Sequence, residues 1–254
     1  ALQAPTTEFS PEELAYAADP YAVLASVREQ GAVLRSKGNW LVTTHAAANA
    51  VLCSPHARTG FISELYRNIL PPGAAREEMS NRINFLDPPG HTRVRKLVVK
   101  AFTPRRIHAL RPHVAAIARE LLEPLEGASV VDLIRAFAHL VPTRVISELL
   151  GVPGEDRDRL TGLADSVSGL LGLRALTPAV LGRAVTAAEE MHAYLRALLE
   201  ERRKEPQDDL LSALLAAEDG NQRLSESELL SLAATLYSAG HRTTRDLFSN
   251  GLCV

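Results

Sequence analysis

The sequence predicts a mainly α-helical protein with one small β hairpin, and three observations carry that prediction. Ala, Leu, Glu and Arg dominate the 254 residues, and from about Pro89 onward apolar residues recur at helical spacing. The β-prone runs are confined to "GAVLRSKGNWLVTTH". With 46% of residues hydrophobic there is material for a sizeable core, and the length suits one large or two modest domains. A formal charge of -2 gives no global attraction for nucleic acid or an anionic membrane. No stretch approaches the roughly 18 uninterrupted apolar residues of a spanning helix. Cys53 and Cys253 share no short spacing with each other or with a histidine cluster, so both are expected as free thiols and no metal site is expected. That usage, and the absence of a basic-then-apolar leader in "ALQAPTTEFS", predicts a cytoplasmic protein.

The elements follow in order. Lys37-Gly38-Asn39 predicts the hairpin turn, because glycine and asparagine tolerate positive φ, and helix is expected again from Ala46 to Leu52. Arg58 to Phe85 contains "LPPG" and no sustained period, which predicts a loop with at most one short helix. At "DPPGHTR" a helix should open with Asp87 as its cap, and at "FTP" Thr103 should cap another with Pro104 at its first position. In that helix Val114, Ile117, Ala118, Leu121 and Leu125 form one stripe, and Pro112 predicts a kink or break just before it. Further helices are expected at "DLIRAFAHLVPTRVISELLG", "EDRDRLTGLADSV" and "TPAVLGRAVTAAEEMHAYLRALLEERRK", with Gly151, Pro153 and Pro206 punctuating their ends.

The last helix should begin at the capping-box pair Ser225 and Glu228 and run roughly 40 Å. Its apolar stripe, Leu229, Leu232, Ala233, Leu236, Tyr237 and Gly240, extends to Thr243 and Leu247, so Thr243 is expected to point into the interior. Ala239 and Gly240 thin the helix just before this polar turn. Such a pair serves either close helix packing or a notch beside a ligand. In "FLDPPGHTRVRKLVVKAFTPRRI", His91 and Arg95 stand four apart on one helix face, where they suit either an anion or solvent. Arg93, Lys96 and Lys100 form a second, offset basic stripe.

In this order and spacing, "FLDPPGHTRVRKLVVKAFTPRRI", "VISELLGVP", "DDLLSALLAAEDGNQRLSESELL" and "LYSAGHRTTRDLFSNGL" resemble the bacterial cytochrome P-450 monooxygenases, the heme-thiolate enzymes. The resemblance implies a cytochrome P-450-like helical prism with a small β region, and a single domain lacking the family's later cysteine-ligand loop. It implies heme as cofactor, with His91 and Arg95 on the heme propionates. Arg93, Lys96 and Lys100 would face a ferredoxin-type electron donor, and a small apolar substrate would be hydroxylated or epoxidised. Ala239, Gly240 and Thr243 would form the region that handles dioxygen and protons, with Arg242 where the family usually has an acid. An arginine stays charged throughout the working range and cannot relay protons as a carboxylate does, whereas Asp246, one turn on, could pair with it. The likeness also places Arg58–Phe85 and Ser166–Pro178 against substrate. Arg242 together with the missing ligand loop favours a second reading, a heme-free homologue that activates another biosynthetic enzyme such as a glycosyltransferase.

Overall fold

A computed structural model describes residues 4–172 and 176–251, and their backbone forms two compact units that divide at Arg58. In the first unit a short 3-10 turn, Pro11–Tyr16, precedes helix α1 (Pro20–Glu29). Asp19 caps α1 by accepting from the backbone of Tyr21 and Ala22. Strands β1 (Val33–Ser36) and β2 (Asn39–Val42) pair antiparallel, with Val33 opposite Val42 and Ser36 opposite Asn39. The turn places positive φ on Lys37 (45°) and Gly38 (84°), the two central residues of a primed turn, while Asn39 is already in β2. Helix α2 (His45–Leu52) is capped by Thr44. Phe9, Val27 and Leu34 form this unit's small core.

The second unit is helical throughout its described elements. Where a loop was expected between Arg58 and Phe85, the chain forms α3 (Gly60–Ile69), α4 (Ala74–Asn81) and a 3-10 turn, Ile83–Phe85. The sequence concealed these helices because their inward faces are partly polar: Ser63, Glu78 and Ser80 are buried beside Tyr66 and Met79. Asp87, expected to cap the next helix, instead accepts from Thr59 N and Gly60 N, each at 3.0 Å, and so caps the start of α3. Helix α5 (Gly90–Ala101) follows with Pro89 at its cap position and no side-chain cap bond there.

Helix α6 (Pro104–Leu122) is capped by Thr103 as expected but runs unbroken past Pro112. Pro112 sits on the exposed side, where solvent reaches the carbonyl left without its donor. The predicted stripe is the inward face, with Ile117 buried and Val114, Ala118 and Leu121 partly so. A π-helical turn, Ile134–Ala138, leads into α7 (Leu140–Leu150). Gly151 ends α7 in the left-handed region (φ 74°), and Val152 N donates to Ser147 O at 2.8 Å, which closes the last turn. Then come α8 (Arg157–Ser168), α9 (Pro178–Lys204, capped by Thr177) and α10 (Leu210–Ala216, capped by Asp209). Helix α11 (Glu226–Gly251) starts with the expected reciprocal pair: Glu228 N donates to Ser225 Oγ, and Ser225 N to Glu228 Oε2.

Two apolar clusters hold the unit. The larger joins α5, α7, α8, α9, α10 and α11 through residues such as Leu97, Leu150, Leu160, Met191, Leu211 and Leu230. The other joins α3 and α4 to α8 and α9 around Tyr66, Met79, Leu170 and Ala188. Among the described residues no helix is long and apolar enough to cross a membrane.

Candidate functional site

Val94, Leu97 and Ala101 bury one side of α5 in the larger core, which turns the helix's basic side outward. There His91, half-buried, and Arg95, exposed, are joined by Thr92, Lys96, Val99, Lys100 and Asp219 around an open pocket of about 590 Å³. Neither His91 nor Arg95 has an ion-pair partner among the described residues. Arg95, Lys96 and Lys100 outnumber the single carboxylate of Asp219, so the pocket's field suits an anionic group.

The second basic stripe is not a separate surface. Arg93 pairs with Glu228 and donates to Arg223 O at 3.2 Å, which ties α5 to the start of α11. Lys100 holds Asp219 at 2.8 Å and donates to Glu218 O at 2.7 Å. That hydrogen bond, then the Lys100 charge and more weakly that of Lys96, holds the Asp219 carboxyl below its ordinary range. Lys96 and Lys100 line the same pocket as His91 and Arg95. The helix turns by about 100° per residue, so positions 95, 96, 99 and 100 crowd one broad face.

On α11 the structure separates residues that the sequence grouped. The position a Cβ would take on Gly240 lies 2.8 Å from Ile146 Cδ1, so the missing side chain serves a close approach of α7. Of the two readings of the small pair, packing therefore accounts for Gly240, while its neighbour Ala239 is exposed. Thr243 was expected to point inward with the leucines, but it is exposed and donates to Ala239 O at 2.7 Å, as is Leu247 at 71%. The buried line of α11 follows Leu230, Ala233, Ala234, Tyr237 and His241, so the extrapolated stripe drifts off it after Leu236. Arg242 is half-buried and does not pair with Asp246, which is held instead by Arg245 at 2.9 Å.

Two buried polar groupings escaped the sequence reading. Tyr237 Oη sits 3.1 Å from Ser147 Oγ and 3.0 Å from Thr161 Oγ1 and donates to Arg157 O at 3.1 Å. Burial pushes this phenol's pKa up, against the opposing pull of its Ser147 and Thr161 hydrogen bonds. One turn on, His241 is fully buried, with Nδ1 3.0 Å from Tyr237 O and Nε2 3.3 Å from Asp165 Oδ1. The four-residue spacing of Tyr237 and His241 on the buried line was the available signal. The other grouping is Arg82, which donates to Glu78 Oε1 at 2.6 Å, with His192 Nε2 3.6 Å from Glu78 Oε2, all three buried. Only the i, i+4 spacing of Glu78 and Arg82 could have hinted at it.

Cys53 is a free, exposed thiol, as expected, and Cys253 lies outside the described residues. Of the expected substrate-facing segments, Ser166 lines a shallow pocket of about 420 Å³ with Leu163, Gly182, Arg183 and Thr186, and residues 173–175 lie outside the described residues. Among the described residues no cluster of His, Cys, Asp and Glu could hold a metal ion directly.

The Cytochrome P450 family model matches residues 42–253. The mycinamicin IV hydroxylase/epoxidase of Micromonospora griseorubida is 41% identical over 206 residues, 81% of this chain and 49% of that protein. The cytochrome P450 monooxygenase PikC of Streptomyces venezuelae is 39% identical, over 93% of this chain and 56% of its own length. The chain thus spans about half the length of these curated relatives. Among solved structures, that of CalO2 superposes with a TM-score of 0.88 at 29% identity, covering 97% of this chain and 62% of that one. The helical architecture, its α5 and α11 motifs and these matches together make the chain a member of the cytochrome P450 family.

Proposed function

We propose that the chain belongs to a heme-dependent monooxygenase that hydroxylates or epoxidises a small apolar molecule, using dioxygen and electrons from a ferredoxin-type donor in the cytoplasm. The observation that carries this reading is the α5 pocket, where His91 and Arg95 stand together without ion-pair partners in a cation-rich rim. Such a rim fits the carboxylates of a heme: the His91 imidazole and the Arg95 guanidinium would hold the propionates, and Lys96 would add charge at the edge. The iron's thiolate ligand is not assigned to Cys53, which is exposed in the first unit. When bound, heme supplies the redox chemistry by which dioxygen is activated.

The remaining roles fall to α11. Ala239 presents only a methyl group on the exposed face, leaving room beside the helix for small molecules. Thr243 Oγ1 keeps its proton on Ala239 O and can pass it to a group arriving on that face, replacing it from solvent. Arg242 holds no exchangeable carboxyl proton, so Thr243 works without the usual acid beside it. Electron-donor docking falls to Lys96 rather than to the whole predicted stripe, since Arg93 and Lys100 are engaged within the chain. The hydroxylase/epoxidase name of the mycinamicin relative supports an apolar natural-product-like substrate.

The test is the carbon monoxide difference spectrum of the reduced protein in the longest form its source makes. A thiolate-type spectrum at one heme per chain is expected; its absence after reconstitution contradicts the reading. Arg242 at the acid position favours one further reading, a heme-free partner that activates a glycosyltransferase-type enzyme. Isolation without heme, in a stoichiometric complex with such an enzyme, is its expected result, and stoichiometric heme would eliminate it.

A further inference from the structure

We infer that Tyr237, His241 and Asp165 form a positioning clasp that sets the rotation of α11 about its own axis and so fixes where Ala239 and Thr243 point. The clasp has two rungs, one helical turn apart. In the first, Tyr237 Oη donates to Arg157 O and meets Thr161 Oγ1 on α8, while Ser147 Oγ approaches it from α7. In the second, His241 reaches Asp165, also on α8, at 3.3 Å.

The chemistry of the second rung is specific. A backbone carbonyl only accepts, so the proton between His241 Nδ1 and Tyr237 O belongs to the imidazole. Nε2 then faces a carboxylate oxygen, and this contact is a hydrogen bond only when a second proton lies between them. The His139 and His241 rings stand nearly perpendicular, with centroids 6.5 Å apart, and Tyr237 flanks His241 at 5.9 Å. His241 is thus enclosed by Asp165, Tyr237 and His139, and Asp165 is 42% exposed at the outer end of the rung.

Geometry links the clasp to the open face. Two residues advance a helix by a little over half a turn, so Ala239 and Thr243 project on the side opposite Tyr237 and His241. Between them, Gly240 lies against Ile146, which blocks α11 from rolling toward α7. Rolling the other way would break both rungs. The exposed pair therefore has its direction set from behind, by residues that touch no ligand. The functional consequence rests on the monooxygenase reading; the clasp itself does not.

The experiment compares Asp165→Ala, Tyr237→Phe and the double variant with the unaltered protein, using amide hydrogen exchange along α11 and thermal unfolding. Positioning predicts exchange about tenfold faster in the double variant over residues 239–247, on the scale of losing one or two net hydrogen bonds, with residues 229–234 unchanged. Asp165→Asn, whose side-chain N–H can donate to His241 Nε2, should restore most of the protection at 239–247. Uniform acceleration along the whole helix, no acceleration at all, or equal behaviour of Asp165→Asn and Asp165→Ala would each overturn the inference. In heme-loaded protein the double variant should form less product per dioxygen consumed with KM unchanged. Since exchange is measured with or without heme, failure to bind heme would defeat the monooxygenase reading and leave the exchange pattern to decide the clasp.

Discussion

The two halves of α11 are built on different terms. From Leu229 to Ser238 nearly every side chain is buried, polar ones included, whereas among the described residues from Ala239 to Gly251 only His241 is fully enclosed and Leu247 stands 71% exposed. The first half is held by dense burial in the larger core, the second by fewer contacts: His241 on Asp165, Gly240 on Ile146 and the Phe248 ring at 5.7 Å from that of Phe137. A helix end secured by so few contacts can be aimed with little effect on the core. That division explains how one helix both stabilises the fold and displays Ala239 and Thr243.

The comparison breaks most visibly at Leu230. Truncation by Leu230→Ala should cost about 2–5 kcal/mol, read as a shifted urea midpoint, because the cavity opens in the packed half. A cost near zero would mean that the halves do not differ. At the junction, Gly240→Val should cost about 1–3 kcal/mol by forcing α7 and α11 apart, and Ile146→Ala in the same chain should recover much of it.

Tyr237→Phe removes the first polar rung and should cost about 1 kcal/mol at neutral pH. Its pH dependence sharpens the point. The folded-state pKa of Tyr237 is raised by burial, so its contribution is complete below the unfolded value of 10.0 and declines as pH rises from there through the raised value. Alkaline titration of stability should therefore lose this component in the Phe variant. The smallest effect belongs to Leu247→Ala, expected within about 0.5 kcal/mol of the unaltered protein in the same urea experiment.

Much of the fold was legible because local chemistry decided it. Thr103, Thr177 and the Ser225/Glu228 pair stand where their helices begin, and Gly151 ends α7 in the conformation that glycine favours. What failed to show was long-range. Asp87 caps a helix 27 residues earlier rather than the one it precedes, and α4 hides because its inward face carries Glu78 and Ser80. At Pro112 the break, one of the two expected outcomes, does not occur, and solvent on the open face of α6 reaches the carbonyl left without its donor. At the site, the His91 and Arg95 pairing followed from a spacing of four and is seen around one pocket. Gly240 and Thr243 could not be resolved from periodicity alone, since only the position of Ile146 tells a packing glycine from an open notch.

The central claim is that the His91 and Arg95 face of α5 receives the propionates of a heme, and the most direct measurement is heme titration followed by absorption. The unaltered protein in its longest natural form should bind one heme per chain, and the double variant His91→Leu, Arg95→Leu should bind it about tenfold or more weakly while its thermal unfolding is little changed. Equal heme affinity in the two proteins, or no heme uptake by the unaltered one, would contradict the account.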